Sequence, residues 1–123
     1  MTQALILFGH GARDPRWAEP FERLRDKLAA HLPAPQQASL AFLELMTPSL
    51  ADAVAQQIAN GSTQITIIPV FFGQGGHIRK DLPALIETIR AKHPNIIIQC
   101  APAVGEDDAV LNAITSYCLA QLN

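Results

Sequence analysis

An apolar run that reads as a strand, followed by apolar residues at helical spacing, recurs four times along this chain. Ala4 to Phe8 is continuously apolar and closes at Gly9, which suits a strand buried on both faces. Asp14 then predicts a helix cap with Pro15 in the first turn. Trp17, Phe21, Leu24 and Leu28 share one helical face, with Glu19, Arg23 and Lys27 outward, and His31-Leu32-Pro33 ends the element. In the second unit Ala38 to Leu45 reads as a strand, although its pattern also passes for helix, and Thr47-Pro48 reads as cap and first turn. Leu50, Val54 and Ile58 form its helical stripe, closed by Asn60-Gly61.

The third unit runs from Ile65 to Phe72. Pro69 donates no hydrogen bond, so pairing on one side is expected to end there. Beyond a glycine-rich loop, Asp81 is expected to cap a helix carrying Leu82, Leu85, Ile86 and Ile89, with Pro83 in its first turn. The fourth unit is Ile96 to Cys100, then a helix with Val110, Leu111, Ile114 and Tyr117. Glu106, Asp107 and Asp108 suit the positive end of that helix.

Four such units without a hairpin signal predict one α/β domain over residues 1–123. Its core is an open four-stranded parallel sheet with helices on both faces. Right-handed crossovers favour the order 2-1-3-4, which is flavodoxin-like. The length of 123 residues is enough for one ordinary core, and 49% hydrophobic residues argue against disorder. A net charge of −2 argues against a general nucleic-acid or anionic-membrane surface. No apolar run is long enough to span a membrane, and no basic leader precedes Ala4. Cys100 and Cys118 belong to no CxxC pair. They are expected to be buried thiols in a reducing compartment, the cytoplasm.

In the 2-1-3-4 order, strands 1 and 3 are neighbours and the chain reverses direction between them. Ligands of open α/β sheets bind at that point, off the carboxyl ends of the strands. The two loops there are 9–14 and 73–80, and each holds one histidine beside glycine: His10 and His77. Imidazole binds transition metals and titrates near neutral pH, so two converging imidazoles suggest metal or proton chemistry. Turn residues or anion contacts are the plainer reading of both. Glu44, in Phe42-Leu43-Glu44, reads equally as a third ligand, a proton acceptor or a solvated loop residue. Arg13, Arg16, Arg79 and Lys80 are expected around the same crevice, where they suit carboxylates or phosphates, or are ordinary surface charge. His31 and His93 each stand at a helix end just before a proline and carry no expected role. No GxxxxGK[ST], GxGxxG or GxSxG pattern is present, so neither nucleotide nor serine-nucleophile chemistry has a visible seat.

The residues 5–15, Leu-Ile-Leu-Phe-Gly-His-Gly-Ala-Arg-Asp-Pro, resemble the N-terminal signature of the sirohydrochlorin chelatases, the class II tetrapyrrole chelatases. Pro69-Val70-Phe71-Phe72 with Gly75-Gly76-His77-Ile78-Arg79-Lys80-Asp81-Leu82-Pro83 resembles their second signature. Phe42-Leu43-Glu44 with Pro48-Ser49-Leu50 resembles a weaker third. The length resembles the short, single-domain cobalt-type enzyme, whose larger relatives carry two such domains in tandem. The resemblance implies insertion of a divalent metal, usually cobalt but in relatives iron or nickel, into sirohydrochlorin without ATP or another nucleotide. It implies a homodimer that builds one tetrapyrrole-sized cleft. His10 and His77 map to the family's metal-handling histidines, and Glu44 to its acidic residue. Arg13, Gly75, Gly76, Arg79 and Lys80 become the expected substrate contacts. Many relatives have Ser where this chain has Ala12.

Two other readings use the same residues. One is a non-catalytic metal-binding or metal-delivery protein. The other is a flavodoxin-like module for a phosphate ligand, with the glycine loops as cradle.

Overall fold

The computed structural model describes residues 2–73 and 75–122, and the side chains of Gly76 and His77 lie outside the described set. Four strands, β1 (Gln3–Gly9), β2 (Gln37–Phe42), β3 (Gln64–Pro69) and β4 (Ile97–Cys100), alternate with four helices. The helices are α1 (Glu19–His31), α2 (Leu50–Ala59), α3 (Gly76–Lys92) and α4 (Asp108–Ala120). The sheet is parallel throughout in the order β2-β1-β3-β4. This is the expected topology, with β1 and β3 adjacent at its centre.

From Ala4 to Phe8, β1 is apolar, and both its faces are covered. Ile6 and Phe8 point into the larger core with Ile65, Ile67, Leu50 and Val54, all at most 1% exposed. Leu7 points the other way, into a smaller cluster with Leu40 and Phe42. Trp17, Phe21 and Leu28 pack onto that second cluster. Trp17 and Phe21 lie 4.6 Å apart, and both rings approach Phe42. Each fully buried Ile or Leu contributes roughly 1.5–3 kcal/mol through removal from water. Leu82, Ile86 and Ile89 bring α3 onto the larger core. The Arg90 guanidinium ties that helix to β4 by donating twice to the Ile98 carbonyl, at 2.9 and 2.7 Å.

Several element ends differ from the sequence reading. Asp14 does act as a cap, accepting from the Arg16 N–H, but first for a 3-10 turn at Pro15–Ala18. β2 stops at Phe42 rather than Leu45. The Phe42 N–H turns to the Pro48 carbonyl, and Leu45 takes a φ of +66°, which ends extended chain. Ser49, not Thr47, caps α2 by accepting from Asp52 N–H. Asn60 and Gly61 close α2 as expected, Gly61 at φ +100°. β3 ends at Pro69 rather than Phe72, and β4 begins at Ile97 rather than Ile96.

The largest shift is in α3. It starts at Gly76 behind a Gly75 cap, so Asp81 is no cap and Pro83 lies inside the helix. Half-buried Ile78 lies four positions before Leu82 on the same buried stripe, so packing extends the helix upstream of the predicted start. Residues 77–80 are therefore helical, not loop.

The thiols of Cys100 and Cys118 are free but belong to exposed residues, not buried ones. The stripe on α4 also fails to reach the core, and no residue of α4 is buried. Among the described residues no helix is long and apolar enough to cross a membrane.

Candidate active site at the carboxyl ends of the strands

Beyond the ends of β1 and β2, where the strand pairing stops at Gly9 and Phe42, two main-chain hydrogen bonds still join the segments. Leu43 N–H donates to the Gly9 carbonyl at 2.9 Å, and Glu44 N–H donates to the His10 carbonyl at 3.1 Å. These two main-chain bonds bring the side chains together: His10 Nε2 stands 3.2 Å from Glu44 Oε1. Both side chains are about half exposed, at 49% and 56%, so each can meet a ligand. The His10 ring lies edge-on to Phe71 at 6.5 Å, and Phe71 in turn packs edge-on against Phe8. A buried aromatic thus limits how the imidazole can turn.

Gly11 supplies the backbone freedom this loop needs. Its φ is +97°, and an added Cβ would overlap the Glu44 carbonyl. The second glycine loop is different. Gly75 has an ordinary φ of −66°, and an added Cβ there would meet nothing within 4 Å.

A cavity of about 300 Å³ opens beside the pair, lined by Phe8, His10, Glu44, Ile78, Asp81 and Leu82. Its far wall is α3. Asp81 was read from the sequence as a helix cap, and the structure makes it a second carboxylate facing the cavity of His10. The available signal was its place four residues after His77, which on a helix shares a face. Among the described residues no three His, Cys, Asp or Glu side chains stand close enough to hold a metal together.

The expected site residues divide into three groups. His10 and Glu44 are brought together, although Glu44 lies two residues beyond its strand. Arg13 and Arg16 line a larger hollow of about 840 Å³ on the β2 side of loop 9–14, with Phe42, Leu45 and Met46. Arg16 is held there by Asp14, at 2.8 Å, and its guanidinium keeps that carboxyl below the usual range. Arg79 and Lys80 are exposed on the first turns of α3. The predicted single cluster of four cations is thus split between two elements. Gly75 caps α3, and Gly76 and His77 open it. The side chain of His77 lies outside the described residues. His31 ends α1 and His93 caps the end of α3, both as expected for residues that complement a helix terminus.

An open parallel sheet with an imidazole–carboxylate pair at its switch point defines an α/β protein equipped to bind a cation or move a proton. The chain belongs to the CbiX family, whose model matches residues 4–118. It is 34% identical to the CbiX protein of Marinobacter aquaeolei VT8, with a TM-score of 0.85. That match covers 97% of this chain and 96% of the other. The cobalt complex of the sirohydrochlorin chelatase SirB from Bacillus subtilis subspecies spizizenii is 26% identical, with a TM-score of 0.82. There the match covers 98% of this chain and 51% of the other.

Among curated relatives, the sirohydrochlorin ferrochelatase of Bacillus subtilis (strain 168) is 26% identical over 114 residues. This chain covers only 43% of its length. The sirohydrochlorin cobaltochelatase of Saccharolobus solfataricus is 27% identical over 112 residues. That match covers 86% of this chain and 85% of the relative.

Proposed function

We propose that this protein inserts a divalent metal, cobalt in first place, into sirohydrochlorin without ATP. The observation that carries the reading is the His10–Glu44 pair at 3.2 Å, at the switch point of a CbiX-family fold. Relatives named as sirohydrochlorin cobaltochelatase and ferrochelatase support the substrate class.

Insertion must strip water from the ion and release two pyrrole protons. A neutral His10 imidazole offers one lone pair to the ion and leaves positions open towards the macrocycle. Glu44, a hydrogen-bond length away, accepts protons as the ion passes to the ring nitrogens. His77 is assigned a second metal-handling role, supported by its place in the first turn of α3 beyond β3. Arg13, Arg79 and Lys80 receive the carboxylates of the macrocycle, and Gly75, where a side chain would meet nothing within 4 Å, leaves room for its edge. Iron or nickel fit the same donors, because imidazole and carboxylate do not by themselves select among them.

A cavity of about 300 Å³ is small for a tetrapyrrole plate, so the reading includes a homodimer in which a second copy supplies the other wall. Two free thiols fit a cytoplasmic protein.

The test offers sirohydrochlorin with cobalt, iron and nickel in turn, with and without the protein, and follows the visible spectrum. Many turnovers per chain with at least one metal are expected. A single stoichiometric change would make the protein a metal carrier, and no change above the uncatalysed rate would overturn the reading.

A further inference from the structure

The segment that leads from β2 to α2 has two residues turned inward and two turned outward. Leu43 packs against the larger core and Met46 against the smaller cluster, while Glu44 and Leu45 both stay exposed. Leu43 and Met46 thus anchor the segment, and Glu44 and Leu45 are what it presents. Glu44 finds its partner in His10. Leu45 has no such place in the fold: it is a large apolar side chain left 59% exposed.

Its backbone makes leucine a still less expected choice. Leu45 has a φ of +66°, and among the described residues it is the one non-glycine residue with positive φ. A Cβ is crowded in that region, which glycine enters freely and asparagine tolerates. Residues held this way gather at functional sites, where the surrounding structure fixes them. Here the fixing contacts are plain. Glu44 N–H donates to the His10 carbonyl at 3.1 Å, the Glu44 carbonyl fills the space of a Cβ on Gly11, and Phe42 N–H donates to the Pro48 carbonyl at 2.9 Å. The left-handed residue directly follows Glu44, so the bonds that set the His10–Glu44 pair also set Leu45.

The position lies between two hollows. Glu44 lines the cavity of about 300 Å³ with His10, whereas Leu45 lines the hollow of about 840 Å³ with Arg13. A ligand that spans from the imidazole–carboxylate pair to Arg13 meets Leu45 on the way. Outside β4 and residues 108–122, the exposed large hydrophobics among the described residues are Leu24, Leu45 and Phe72. Leu45 follows β2 and Phe72 follows β3, the two neighbours of β1. His10, which follows β1, is therefore flanked by two loops that each show one apolar side chain.

We propose that Leu45 is a substrate-contact residue, an inference that rests on the chelatase reading above. Its side chain bears on the apolar face of the macrocycle, while the ring nitrogens face His10 and Glu44 and a peripheral carboxylate reaches Arg13. The ligand that fits is flat, apolar on its faces and carboxylated at its edge. A small anion such as free phosphate would use Arg13 and leave Leu45 untouched.

The test is binding, read without metal. Sirohydrochlorin is titrated into the folded protein, and quenching of its single tryptophan, Trp17, is followed. Leu45→Asn removes the apolar group and keeps a residue suited to the left-handed backbone. It is expected to weaken binding about tenfold. The factor should be the same at low and high salt, because an apolar contact is not screened. The urea midpoint of this variant should equal or exceed that of the wild type. Leu45→Met keeps the apolar surface and should bind within about twofold of the wild type. Cobalt binding in the absence of macrocycle, measured by calorimetry, should be unchanged in both.

Unchanged sirohydrochlorin affinity in Leu45→Asn overturns the proposal and leaves the chelatase reading standing, and so does an equal loss in Leu45→Met. A urea midpoint that falls with the affinity assigns Leu45 to the fold and overturns the contact. A cobalt affinity that falls with it places the effect at Glu44, with the same consequence. Wild-type protein that binds no sirohydrochlorin overturns the chelatase reading and the contact together.

Discussion

The carbonyl of Glu44 occupies the space that a side chain on residue 11 would need, so Gly11 and Glu44 hold one another in place. Gly11→Ala meets both this overlap and a φ of +97°. It is expected to cost at least ~2 kcal/mol of stability and to separate His10 from Glu44. Urea unfolding and the rate of metal insertion check this. An unchanged midpoint with an unchanged rate would show that the loop relaxes freely.

His10→Ala and Glu44→Gln are each expected to slow cobalt insertion on the order of 100-fold, about 3 kcal/mol in the transition state. Melting temperatures should move little, because the pair is half exposed and such contacts contribute little to stability. His77→Ala should resemble His10→Ala. His31→Ala and His93→Ala, at helix ends, should keep near-normal rates. Initial rates at saturating metal decide the matter, and folded His10→Ala protein with a normal rate would remove the imidazole from the mechanism.

Charge at the rim should act on capture rather than on chemistry. Arg13→Glu or Arg79→Glu is expected to raise KM for sirohydrochlorin about fivefold, with kcat nearly constant. Added salt should weaken binding to the unaltered protein in the same direction. A KM insensitive to both would mark these cations as ordinary surface charge.

Cys100 is exposed as a residue, but its thiol borders a small hollow between β4 and α3, and this partial burial pushes its pKa up, with Arg90 opposing in part. A proton held more tightly in the folded state stabilises the fold fully below the unfolded thiol value, roughly 8.5. That contribution is lost as pH rises through the folded value. Between about pH 8 and 10 the wild type should therefore lose stability more steeply than Cys100→Ser. Denaturant midpoints across that range test it, and parallel curves would show that the hollow does not perturb the thiol.

The topology was legible because it depends on local patterns. A continuous apolar β1, helical stripes at 50–58 and 82–89, and the absence of hairpin turns leave little but a parallel 2-1-3-4 sheet. His10 was legible for the same reason: a glycine-flanked residue directly after a central strand must stand at the switch point. Element ends were less so. Asp81 and Pro83 resemble a helix start, and the competing signal, Ile78 four positions before Leu82 on the same stripe, counts only because the fold packs Ile78 against the core.

What the sequence by itself determined is thus the set of strands and helices and the order in which they cross, since periodicity and chain connectivity act along the chain. The tertiary structure alone decided three other things. It paired His10 with Glu44, thirty-four positions apart, through main-chain bonds beyond the strand ends. It turned Asp81 from a cap into a wall of the cavity beside them. It left the apolar stripe of α4 off the core that periodicity assigns it, with the helix packed chiefly on the short 3-10 turn before it. A hydrophobic stripe states that a surface is suited to burial, and only the packing of segments distant in sequence determines whether it is covered.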